Sequence, residues 1–442
     1  MNLLLRGGTV VTMNAKRDVL RADVLVRGGG VAYVGRRPPT DGPTRILDAT
    51  GCAIMPGIVQ AHVHLVQALF RGMADDLPLL AWLRDHIWPL EAAHDAASVG
   101  ASARLGLAEM MLAGTTSILD MGTVHHQDAV FSAMKEAGIR GLSGKAMMDR
   151  GRGVPRRLRE SSTSSLRESE RLYERWHGAA GGLLGYAFAP RFVLSCSERM
   201  LRGAADLAES GKTLVHSHVA EHAAEREAVR AALGVDDVEA LRRVGIRGPR
   251  AVLAHGVQLR PAEMRRIARD GTRLVHCPSA NLKLASGIAD VRAMQSAGIV
   301  VALGADGAPC NNRMDPWTEL RQAALLCKVK TGDASSMGAM EALAMATVHG
   351  AAVLGLSDLI GSIEPGKRAD LIVVRLDGPH AEPGGDPVSR LVYACTASDV
   401  RHVMVDGELV VKHGIHQRLD VDGVRAKARR QARRVAGRAG MG

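Results

Sequence analysis

Four short polar signatures lie far apart in this chain and share one chemistry: His62-Val63-His64, His218-Val219-Ala220-Glu221, Ala254-His255-Gly256 and Gly304-Ala305-Asp306-Gly307. Each directly follows an apolar run, as a residue at the exit of a buried strand does. His62 and His64, two apart on a strand, leave the same face. Brought together, His62, His64, His218 and Asp306 make a ligand set for a hard-to-borderline divalent metal. A coordination position stays open for water, and a bound zinc lowers that water's pKa to about 7. Glu221, three residues past His218 and outside the ligand set, suits a proton carrier. His255 suits a partner for the attacking water or a developing oxyanion, and Asp306 a relay for the water's second proton. His216 shares a face with His218 and competes for the ligand role; His218 is preferred because it begins H-x-x-E at the strand exit. His276 belongs to the wall of the site or to the core. The pattern describes a hydrolase that activates water.

These residues need a frame that collects strand ends. The middle of the chain alternates apolar runs with helical patterns, and eight runs read as strands: IMPGIVQAHVH, TTSILDMG, IRGLSGKAM, LGYAFAPRF, TLVHSHVAE, AVLAHG, RLVHCP and IVVALGAD. Val-, Ile- and Leu-rich strands alternating with helices imply parallel strands buried on both faces. Eight such units predict an α/β fold, a (β/α)8 TIM-like barrel, whose active site gathers at the strand C-terminal ends. All four signatures fall there. Period-two patterning recurs at both ends of the chain, in LLLRGG, TVVTMN and DVLVRGG and again in DLIVVRL and HVMVDGELVVKHG. The expected organisation is therefore a barrel over 57–360 and a small β-sandwich domain built from both termini, 1–56 plus 361–442. The chain re-enters the sandwich near Gly366, and a basic helix or tail closes it. Residues 67–91 and the Ser- and Arg-rich stretch 150–165 read as insertions or lids, the second of them mobile.

Bulk properties narrow the class. The 442 residues are 46% hydrophobic and 23% charged, as in ordinary globular enzymes. No apolar run reaches the roughly 18–20 residues a membrane helix needs, and the N-terminus is too short and too broken for a secretory signal, so a cytoplasmic location is expected. The six cysteines show no paired spacing and read as reduced thiols. Much of the +11 charge sits in Arg150–Arg167 and in the last stretch, VRAKARRQARRVAGRAG. Only 3% of the chain is aromatic, too little for stacking single strands; a solvated basic tail is the reading, with neither nucleic acid nor membrane as partner.

The metal count follows from one position. Two-metal barrels commonly bridge their ions with a modified lysine at the end of strand four, which here ends Ala189-Pro190-Arg191-Phe192. Lys145 ends strand three instead. One metal is expected.

From Pro56-Gly57 with HVHL, through LFRGMADDLPLLAWLRDHIWPLE, HVAE, LAHG, HCPSANLKLASG and LGADGAPCNN to GSIEPGKRADLIVV, the chain resembles the amidohydrolase superfamily, in its aminohydrolase branch of adenosine-type deaminases, guanine deaminase and triazine hydrolases. The resemblance implies His62, His64, His218 and Asp306 as ligands of zinc or sometimes iron, with Glu221 and His255 as catalytic partners. It also implies a homodimer or larger assembly. HLVQALFRGMADDLPLLAWL is similar to enzymes that deaminate 5′-deoxyadenosine, methylthioadenosine and S-adenosylhomocysteine. Gln67 and Arg191 depart toward guanine deaminase, since an arginine fork suits a purine carbonyl. Trp82 and Trp88 complete the expected substrate contacts, and Cys310 with Asn311-Asn312 shapes the pocket. The leading expectation is a metal-dependent deaminase of an adenosine-type nucleoside. A guanine, 2-aminopurine or pterin deaminase follows, then a triazine hydrolase; outside enzymes, a non-catalytic scaffold or nucleic-acid binder remains.

Overall fold

The computed structural model describes residues 2–39 and 42–441. Its strands form two nine-stranded sheets. One is the barrel, whose strands in chain order are β1 (Ile58–Val63), β2 (Thr115–Met121), β3 (Arg140–Gly144), β4 (Leu184–Pro190), β5 (Leu214–Val219), β6 (Ala251–His255), β7 (Arg273–His276) and β8 (Val301–Leu303). Neighbours pair in sequence order and in parallel, and a short ninth strand, Ala146–Met147, adds to the end of β4. The cylinder closes between β8 and β1. The Asp306 amide donates to the His62 carbonyl (3.0 Å), and Val63 bridges Asp306. Every residue of β1, β2, β3 and β6 is buried, which the helices outside and the packed interior require of a parallel sheet.

The second sheet draws on both ends of the chain. Strand Asn2–Val11 pairs with Val19–Arg27, Thr44–Asp48 and Cys52–Pro56; the last of these pairs antiparallel with Leu371–Arg375, which leads on to Val400–Val405, Glu408–Lys412 and Ile415–His416. The run read as one strand, IMPGIVQAHVH, is thus divided: Cys52–Pro56 joins the small sheet and Ile58–Val63 the barrel. Gly57 is the hinge between them. A β-carbon there would stand 2.1 Å from Thr116 Oγ1, so no larger residue fits. Near Gly366, whose amide donates to the Val31 carbonyl, the chain does return to this sheet. Arg140 on β3 ties the two bodies together by pairing with Asp370 (2.6 Å) and Asp406 (2.9 Å).

Two expected loops differ in detail. Stretch 150–165 is pinned rather than free: Val154 and Leu158 are buried, Ser162 donates to Asp149, and Glu160 pairs with the fully buried Lys145. An ammonium shut away from water needs such a partner. The basic tail forms helix Val421–Arg438, and it is docked rather than wholly solvated. Val424, Ala428, Val435 and Ala436 are buried, with Ala428 and Val435 packed among Leu69, Phe70, Leu90 and Ala93, while the arginines face out. All six cysteines are free thiols, and no helix among the described residues is long and apolar enough to cross a membrane.

Candidate metal centre and active site

His62 near the end of β1, His218 near the end of β5, His255 ending β6 and Asp306 just past β8 converge at the C-terminal mouth of the cylinder with His64 and Glu221. His62 Nε2 and His64 Nε2 each lie 3.4 Å from Asp306 Oδ1, and His64 Nε2 lies 3.3 Å from His218 Nε2. His255 Nε2 lies 3.6 Å from Glu221 Oε2 and 3.9 Å from Asp306 Oδ2. Ala220, His255 and Asp306 all carry positive φ, of 48°, 77° and 62°, backbone strain of the kind that gathers at functional sites.

Hydrogen bonds to backbone carbonyls fix the tautomers, because a carbonyl only accepts. Nδ1 of His64 donates to the Met121 carbonyl (2.8 Å) and Nδ1 of His218 to that of Arg191 (2.7 Å). His216 Nδ1 donates to the Val252 carbonyl (3.0 Å), so its Nε2 must accept from His62 Nδ1 (2.7 Å). Burial lowers the pKa of His62, His64, His216 and His218, which keeps each ring neutral. All three rings therefore present an Nε2 lone pair, and Asp306 adds a carboxylate oxygen. His62 Nε2, fully buried, has no hydrogen-bond partner among the described residues. Four acceptors gathered without a proton among them repel one another unless a cation sits between them, so the donor set fits a divalent metal. His216 is turned to His62 and away from the cluster. It orients His62, a task its H-x-H spacing on β5 allowed but did not reveal.

Gln67, Trp82 and Arg191 line the cavity over this cluster, together with Leu79, Leu83, Phe192 and Glu225. Trp88 is buried behind them and does not line it. Segment 67–91 is a cover: helix Leu79–Trp82 and the π-helical stretch Leu83–Ile87 place Leu79, Trp82 and Leu83 against the site. The space left is about 30 Å³, room for roughly one water. The terminal nitrogens of Arg191 bind both oxygens of Glu91 (2.6 and 3.2 Å), and Gln67 Nε2 donates to Glu91 (2.8 Å). Gln67 Oε1 and Trp82 Nε1 stay buried without partners. Glu91 and Glu225 escaped sequence reasoning. Glu225 had a weak signal, an acid in the first turn of the helix that follows Glu221; Glu91, at the end of the conspicuous WPLE run, had none pointing to Arg191.

His276 ends β7, buried and outside the converging ligand atoms. Cys310 donates its thiol to the Gly307 carbonyl (3.1 Å), beside Asp306. β4 ends at Pro190 with no lysine.

The amidohydrolase family model matches residues 53–410. The chain belongs to the amidohydrolase family. It is 39% identical over 397 residues to a 5′-deoxyadenosine deaminase of Methanothermobacter thermautotrophicus, covering 90% of each chain. It is 39% identical over 440 residues to a 5-methylthioadenosine/S-adenosylhomocysteine deaminase of Halobacterium salinarum, covering 99% of each. Its fold superposes on the crystal structure of an adenosine deaminase from Xanthomonas campestris with bound zinc, at a TM-score of 0.92 and 33% identity over 98% of each chain. For this amidohydrolase, the likeness runs through nearly the whole chain.

Proposed function

We propose that this amidohydrolase removes the exocyclic amino group of a purine by hydrolysis, acting on an adenosine-type nucleoside and releasing ammonia. The observation that carries the reading is the set of four protonless acceptors, His62, His64, His218 and Asp306, gathered at one cavity. These residues would hold one divalent ion, zinc or iron. Such an ion supplies a water whose pKa is about 7. The absence of a lysine at the end of β4 supports a single ion.

The chain's own residues do the rest. Glu221 is buried, and burial with the neighbouring Asp306 and Glu225 pushes its carboxyl well above the ordinary range. It therefore holds a proton to give to the ring nitrogen beside the amino-bearing carbon. As water's oxygen bonds to that carbon, its first proton replaces the one Glu221 gave and its second passes by way of Asp306 to the amino group. The C–N bond then breaks, ammonia leaves and the ring keeps a carbonyl. Asn281 donates to His255 Nδ1 (3.0 Å), which leaves the ring proton on Nε2, pointed where negative charge develops on oxygen. The names of the relatives at 39% identity support the adenosine class. A second reading, a guanine-type base, is favoured by Arg191 and Gln67 at the cavity wall. We place the enzyme in the cytoplasm as a homo-oligomer, with the barrel over 57–360 and the remainder in the small domain.

Two measurements test this. Incubation with adenosine derivatives, guanine, pterins and triazines should release ammonia fastest from an adenosine derivative; release only from guanine would move the reading to the second class. Glu221→Gln should keep its metal and lose about 10²–10⁴-fold in turnover; near-normal turnover removes Glu221 from the mechanism.

A further inference from the structure

The Glu221 carboxylate accepts no hydrogen bond from protein groups among the described residues; the His255 ring nitrogen stands 3.6 Å away. Its position is therefore inherited from its backbone. That backbone is the short link Val219-Ala220-Glu221 between β5 and helix Ala223–Leu233. Ala220 has φ of 48°, a left-handed conformation that a residue with a β-carbon keeps only when its surroundings impose it. Two buried carboxylates impose it. Asp237 Oδ2 accepts the Ala220 amide proton (2.6 Å), and Glu225 Oε2 accepts that of Glu221 (3.0 Å). From the exit of β6, the Gly256 amide donates to the Val219 carbonyl (2.9 Å) and the Gln258 amide to that of Ala220 (2.8 Å).

The acids have their own support. Asp237 lies 3.4 Å from Arg226, which also pairs with Glu263. Asp236, Asp237 and Glu263 stand close enough together to suggest a cation site, but Arg226 already supplies the positive charge there.

We propose that Glu225 and Asp237 are positioning residues for the deamination: they clamp the backbone of Ala220 and Glu221 and so set where the Glu221 carboxylate meets the substrate. The clamp also fixes the spacing of Glu221 from His255, because its other half comes from β6. The inference rests on the reading of Glu221 as proton carrier.

The test uses the metal-loaded enzyme and separates kcat from KM. Glu225→Leu removes the acceptor and should lower kcat about 10–100-fold, the scale of a misplacement near 1 Å, with KM and metal stoichiometry unchanged. Glu225→Gln keeps an acceptor oxygen and should retain at least about half of kcat. Glu225→Asp keeps a carboxyl group at the helix start but shortens its reach, and should lose kcat without losing the fold, which covers the case of a Leu variant that does not fold. Unchanged kcat in both the Leu and Asp variants overturns the clamp, as does equal loss in Gln and Leu, or a loss that only tracks lost metal. If Glu221→Gln is itself fully active, the reading of Glu221 fails. If Glu221→Gln is inactive while the Glu225 variants are fully active, the clamp alone fails.

Discussion

His216 stands two residues before His218 on one face of β5, and sequence alone leaves the two in competition for the same ion. Their neighbours separate them. The Val252 carbonyl accepts from Nδ1 of His216 and turns its Nε2 into the acceptor for His62, so His216 orients His62 and fixes its tautomer. Groups of this kind are worth about 10–100-fold in metal affinity. His216→Phe should weaken binding by that factor in a chelator-competition titration, while kcat at saturating metal changes far less. A variant that binds metal as tightly as the parent would remove His216 from this role. The same scale contains what no spacing disclosed. Glu91 meets Arg191 across 100 positions of chain, and a pairing between segments that distant leaves no local pattern to read.

Helix Val421–Arg438 is where an element departs from expectation. Alternating Arg and Ala reads as a solvated tail, yet every third or fourth position from Val424 to Val435 is small or apolar and lies on one face. Ridges of that spacing dock on another helix. The partner surface is the root of the cover, Leu69, Phe70, Leu90 and Ala93, and Arg438 closes the contact by pairing with Asp95 (2.6 Å). Val435→Asp puts an unpaired carboxylate into this contact and should cost about 2–4 kcal/mol, read as a lower denaturation midpoint and faster proteolysis of the last residues. An unchanged midpoint would mean the helix contributes nothing to the fold. Among the strands, the eight barrel runs were legible because burial on both faces makes them continuously apolar. The split of the first run at Gly57 was not, since both halves are equally apolar and only pairing assigns them to different sheets.

Across the whole molecule, three buried histidines outside the converging ligand atoms bear on stability in acid. Burial holds His94, His402 and His416 down at about 4 from an ordinary value near 6.5. Each stays neutral in the folded state, whereas the unfolded chain takes up its proton below about pH 6.5, so the unfolded state binds more protons there. Their contribution is fully present above pH 6.5 and is lost as pH falls toward 4. The melting temperature should therefore drop steadily over that interval, and His94→Gln should flatten the slope; an unaltered slope would exclude His94 as a source. The convergence of His62, His64, His218 and Asp306, the parallel barrel and their strand-end location were legible in the sequence alone, because residue type and hydrophobic period are local properties that survive in a linear string. The tautomers, the pairing of Arg191 with Glu91, the clamp on Glu221 and the seat of the last helix were decided only by tertiary structure. Each depends on a donor meeting an acceptor, or an apolar face meeting another, across a separation in the chain that carries no energy until the fold closes it.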